Sequence, residues 1–188
     1  MNWIFGRGLS ISCNISWRVP NEWRHVPREE KIELIREALR KEMNTARVDC
    51  STIHALLKLL ERHTSPSFRH RFITTNWDYL LQREILQLKL EVLPPWMDNN
   101  HVFHLNGTVE ELMDNSHRSP FLLEEDPADQ RHSTVEADVV FNKIIWDRTF
   151  VVVGMSLECQ TDKFLMTSLG SVEDDMPIGE SLWIVVNP

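Results

Sequence analysis

Phe150-Val151-Val152-Val153 is an unbroken apolar run, mostly β-branched, with no polar position left to face water. A strand of that kind is stable only when both its faces are covered, as in a parallel sheet packed with helices above and below. Leu182 to Val186 repeats the pattern close to the end of the chain. Shorter strand-like runs occur at Trp3–Phe5, Phe68–Thr75, Leu90–Leu93 and His101–Leu105. Between them the apolar spacing turns helical. Ile32, Ile35, Leu39 and Met43 share one face after Pro27, Glu29 and Glu30, which suit a helix start. Asp49 or Ser51 is placed to cap a second helix through Ile53, Leu56, Leu57 and Leu60. Trp77 to Leu88, about 133 to 147, and about 161 to 172 give three more. Strands alternating with helices predict βαβ units: an α/β fold with a three-layer, doubly wound, Rossmann-like and mostly parallel sheet, helices on both faces, and one domain over 1–188.

Two stretches are expected to be irregular. Residues 11 to 26 mix Asn, Ser and Pro20 with scattered apolar anchors, and residues 113 to 132 are polar and proline-broken, a candidate mobile loop.

Twenty basic against twenty-eight acidic residues leave a net charge of −8. Binding to a phosphate backbone needs a surplus of lysine and arginine, so nucleic acid is disfavoured as a partner. No apolar run approaches the ~20 residues of a membrane span, so no membrane role is expected. Cys13, Cys50 and Cys159 are far apart in sequence and form no CxxC pair. Together with a start that meets Gly6-Arg7 before any secretory apolar region, they predict a cytoplasmic protein with reduced thiols.

In open parallel sheets ligands bind at the carboxyl ends of the strands. Gly6-Arg7-Gly8-Leu9-Ser10, Thr74-Thr75-Asn76-Trp77-Asp78, His104-Leu105-Asn106-Gly107, Gly154-Met155-Ser156 and Asn187-Pro188 each follow an expected strand. Five ends rich in glycine, hydroxyl and amide groups point to a nucleotide-type crevice. The dehydrogenase fingerprint does not fit: its third glycine is Ile11, and its distant acidic residue falls near Glu29 outside a strand. A serine-hydrolase elbow at Ser156 is excluded as well, since Glu158 replaces the final glycine and no histidine follows. His101, His104, His117 and His132 lack metal-ligand spacing, so no metal is expected.

This motif series resembles that of the sirtuin-like proteins, in order and spacing that of their compact prokaryotic branch, which includes NAD-hydrolysing members. The likeness spans nearly the whole chain, and Thr75-Asn76-Trp77-Asp78 followed by Tyr79-Leu80-Leu81 is its most specific part. It implies NAD as substrate or ligand. Gly6, Gly8 and Ser10 would meet the phosphates, Asn76 the nicotinamide ribose, and Asp78 would support the Asn76 loop. Gly107 belongs to the same crevice, with Gly154, Ser156 and Asn187 at the adenosine half.

The chain departs from the family in two ways. The four-cysteine zinc module of the deacylases is absent, which points toward NAD hydrolysis. The family's His-Gly pair reads Asn106-Gly107, and an amide takes no proton at neutral pH. His104, two residues earlier, would share a strand face with Asn106 and is the candidate proton acceptor. The expectation is an NAD glycohydrolase with Asn76, His104 and Asn106 at the reaction centre. The alternative is a non-catalytic NAD or ADP-ribose sensor acting through a homo-oligomer or an effector protein.

Overall fold

A computed structural model describes residues 1–45, 47–63, 70–88, 102–109, 121–126, 150–156, 162, 163, 165 and 181–184. Its centre is a five-stranded sheet of β1 (Asn2–Phe5), β2 (Arg71–Thr74), β3 (Val102–His104), β4 (Phe150–Val153) and β5 (Ser181–Ile184). The spatial order is β3-β2-β1-β4-β5, and every neighbouring pair is parallel. The protein is therefore an α/β fold built on a parallel sheet. The expected strand at 90–93, the expected helix at 133–147 and Asn187 lie outside the described residues.

Register explains why these strands are apolar throughout. Trp3 lies between Phe72 and Val151, and Ile4 between Ile73 and Val152. The first set joins Phe5, Val102 and the helices in one buried cluster. The second joins Phe103, Met155 and Leu165 in another. Both faces of the sheet are thus buried, as the β-branched run at 150–153 requires.

Four helices pack into the first cluster: α1 (Gly8–Ser12), α2 (Arg28–Met43), α3 (Ser51–Arg62) and α4 (Leu80–Leu88). Ile32, Ile35, Leu39 and Met43 form the buried stripe of α2, at roughly 1.5–3 kcal/mol of burial each. Cys50 takes the N-cap position of α3, while the exposed Asp49 carboxylate accepts the Ser51 N–H at 2.9 Å.

Several boundaries differ from expectation for identifiable reasons. The segment 11–26 is more ordered than its composition suggests, since α1 runs to Ser12 and a 3-10 turn spans Asn21–His25. Helix α4 begins at Leu80, not Trp77, because the Asp78 side chain takes the Leu80 N–H at 3.1 Å in an Asx turn.

Of the expected mobile loop at 113–132, residues 121–126 are packed against the core, and the remainder lies outside the described residues. Phe121, Leu122 and Leu123 are all buried, and the Asp126 carboxylate holds Arg28 of α2 at 2.7 and 2.8 Å. Lys31 pairs with Glu125, and the Arg36 guanidinium covers the Phe121 ring. Among the described residues no helix is long and apolar enough to cross a membrane.

Candidate functional site

The chain leaves β1 for β2 and β3 on one side and returns to β4 and β5 on the other. The carboxyl ends of β1 and β4 therefore flank the point where strand order reverses, the usual place for a ligand crevice in an open α/β sheet. Gly6, Gly8 and Gly154 meet there. The Gly6 N–H donates to Val153 O at 3.0 Å, and the Gly8 N–H to Gly154 O at 2.7 Å. A Cβ on Gly8 would lie 2.6 Å from the Gly154 Cα, and one on Gly6 would lie 2.5 Å from the Met155 Cγ. Gly154 also has φ +65°, a left-handed conformation. The glycines thus let two loops close backbone to backbone, a structural demand that exists without any ligand.

The end of β2 is tied into this floor. Thr74 Oγ1 donates to Phe5 O at 3.0 Å and accepts the Asn76 N–H at 3.1 Å. The half-buried Asn76 directs its Nδ2 to Gly6 O at 3.0 Å and to Ser10 Oγ at 2.8 Å. Ser10 Oγ in turn donates to Asp78 Oδ2 at 2.5 Å. These partners fix the amide's orientation on chemical grounds: Gly6 O only accepts, and Ser10 has committed its proton to Asp78. Both amide hydrogens are engaged, and Asn76 Oδ1 has no hydrogen-bond partner among the described residues. Burial pushes the Asp78 carboxyl up, with the Ser10 and Leu80 hydrogen bonds pulling it back.

Beyond β3 the chain makes a tight turn, closed by the Gly107 N–H on His104 O at 3.1 Å, with Gly107 at φ 73°. The strand stops at His104, so Asn106 stands in the turn and the strand-face relation expected between the two does not hold. Asn106 is 6% exposed; its Nδ2 donates to Thr75 O at 2.7 Å, and its backbone carbonyl accepts the Leu122 N–H at 2.9 Å. His104 pairs with Thr74 across the sheet and is 2% exposed. Burial pulls its imidazole down to about 4, opposed by the nearby Asn76 backbone, so it is neutral at pH 7. Neither ring nitrogen has a well-formed hydrogen bond among the described residues.

The structure thus brings Gly6, Gly8, Ser10, Asn76, Asp78, Asn106 and Gly154 into one bonded assembly, with His104 sealed beneath it. Gly107 shapes its edge, and Ser156 is exposed just past Gly154.

Four residues at the site have roles that no sequence motif indicated. Asp162, 4% exposed, accepts from Thr75 Oγ1 at 3.1 Å, although its sequence shows only an acidic residue near a helix start. Arg7 donates to the carbonyls of Ser16 and Trp17 at 2.9 and 3.1 Å, bracing the segment after α1. Phe121 and Leu122 hold Trp77: its ring lies 5.2 Å from that of Phe121, and its Nε1 donates to Leu122 O at 3.0 Å. Only the apolar triplet 121–123 inside a polar stretch could have signalled the last.

Among the described residues no group of three or more His, Cys, Asp or Glu side chains converges to hold a metal ion. No protein-family model matches the chain, and no curated protein is significantly similar to it.

Proposed function

We propose that this chain is a sirtuin-like NAD-binding domain that hydrolyses the nicotinamide–ribose bond of NAD, releasing nicotinamide and ADP-ribose. The observation that carries the reading is the Asn76 carboxamide, clamped through its NH₂ while its oxygen has no partner among the described residues. Cleavage builds positive charge on the ribose as neutral nicotinamide departs. A fixed amide oxygen beside that carbon holds one hydrogen of an attacking water and stabilises the developing charge. The water oxygen bonds to the anomeric carbon and its surplus proton passes to solvent. No metal enters the step.

We infer a three-layer, doubly wound, Rossmann-like arrangement around this site. Strand order reverses between β1 and β4, and right-handed crossovers then carry the two halves to opposite faces. The burial of both sheet faces supports it, as does the helical residue Leu165 in the cluster opposite α1–α4. The free thiols of Cys13 and Cys50 fit a cytoplasmic setting.

A second reading, a non-catalytic NAD or ADP-ribose sensor working through an oligomer or effector, is favoured by the third strand end. Asn106 replaces the family's base and is committed to Thr75 O, while His104 is buried with a depressed pKa.

Incubating the purified protein with NAD, and measuring nicotinamide and ADP-ribose alongside calorimetric binding, separates the two. Equimolar products formed in proportion to protein concentration support hydrolysis. Saturable binding without release moves the conclusion to a sensor.

A further inference from the structure

Outside the candidate site, the described residues bring two of the three cysteines together. Cys13 follows α1 immediately and is fully buried, whereas Cys50 at the N-cap of α3 is half-buried. Their backbones are joined through Asp49, whose N–H donates to Cys13 O at 3.2 Å. Both side chains pack in the same core cluster, and each sulfur lies close enough to perturb the other's ionisation. The Arg83 guanidinium of α4 donates to Cys50 Sγ at 3.2 Å. Cys13 also adjoins Ser10 of the candidate site, its N–H donating to Ser10 O at 3.0 Å.

We propose that Cys13 and Cys50 form a reversible dithiol–disulfide couple, oxidised by a hydroperoxide, that ties the exit of α1 to the start of α3. The couple stands independently of the NAD reading. Cys50 is the attacking sulfur, because it is the more accessible and carries the cationic neighbour that favours a thiolate. It bonds to one peroxide oxygen, the O–O bond breaks, and the departing hydroxide is protonated to water, leaving a sulfenic acid. Cys13 sulfur then attacks Cys50 sulfur; the S–O bond breaks, and hydroxide leaves with the Cys13 proton as water. Two thiols and one hydrogen peroxide give one disulfide and two waters. A dithiol reductant reverses it by exchange. Burial and Glu84 raise Cys50 while Arg83 lowers it, and burial pushes Cys13 up to about 12. Oxidation is therefore slow near neutrality and quickens as pH rises.

The test uses the full chain carrying Cys159→Ser, treated with hydrogen peroxide, denatured in an alkylating reagent and weighed intact. The expected result is two alkylated thiols before oxidation, none after it, and two again after dithiothreitol. A peptide containing Cys13 should be found linked to one containing Cys50. Adding Cys50→Ala, a change at a half-exposed position, should leave Cys13 alkylatable after peroxide. Any one of three results would overturn the proposal: two thiols still alkylated after oxidation, Cys50 over-oxidised to sulfinic acid with Cys13 free, or a disulfide linking separate chains.

Discussion

Asn76 has one orientation that its neighbours accept, and this makes it the most informative single position. Replacing it with Asp would set carboxylate oxygen against Gly6 O, where nothing is left to donate. We expect Asn76→Asp to lose about 1–3 kcal/mol of stability, read as a lower urea midpoint. Turnover should fall by ~10²-fold or more, the scale seen when a preorganised polar group is removed. His104 governs a different property. Its folded pKa of about 4 lies below the ordinary 6.5, so the unfolded chain binds the extra proton between those values. The associated stability is fully present above pH 6.5 and is lost as pH falls toward about 4, a change of roughly 3 kcal/mol at 1.36 kcal/mol per pKa unit. Asp78, raised by burial, acts in the opposite sense, since protonating it in acid relieves a buried charge. Comparing urea midpoints at pH 7 and pH 4.5 for the wild type and His104→Phe isolates the histidine, and the substitution should flatten the dependence. An equal loss in both proteins would assign the effect elsewhere.

At the scale of elements, the contact between the β1 and β4 loops is the tightest constraint. Gly8→Ala brings a methyl to 2.6 Å from the Gly154 Cα, where backbone must move. The expected cost is about 1–3 kcal/mol, the usual range for overpacking, measured by thermal or urea unfolding. The strap at 121–126 depends on Arg28. Arg28→Ala leaves the Asp126 carboxylate buried with Leu123 N–H as a remaining donor. Because Arg28 is partly exposed, the loss should sit near the lower end of the ~3–5 kcal/mol for a broken buried pair. Proteolytic cleavage within 121–126 should rise in the same variant. These elements also show where sequence is informative. Strands β1 and β4 and helices α2 and α3 were legible because apolar period and β-branching follow directly from burial on one or both faces. The order of residues 121–126 was not, because its stability comes from partners 85 to 98 residues away in α2, which no local pattern encodes. The candidate site was legible as a set of strand ends. Its wiring was not, since whether Asn76 offers its oxygen or its NH₂ depends on Gly6 and Ser10 across the sheet.

At the scale of the whole molecule, a five-stranded parallel sheet brings distant parts of the chain to one edge. Gly6, Asn76, Asn106 and Gly154 belong to four strand ends, yet Asn76 is hydrogen-bonded to Gly6 O, Asn106 to the carbonyl of the adjoining Thr75, and Gly154 to Gly8. These hydrogen bonds form without a ligand, so NAD binding should need little rearrangement of these residues. Cleavage of NAD at this edge through Asn76 is the proposed function. Its most direct test is nicotinamide release from NAD by the wild type and by Asn76→Ala, with NAD binding measured on both. Release is expected from the wild type and its loss from the variant, while the variant still unfolds cooperatively and still binds NAD. Undiminished release from Asn76→Ala would contradict it.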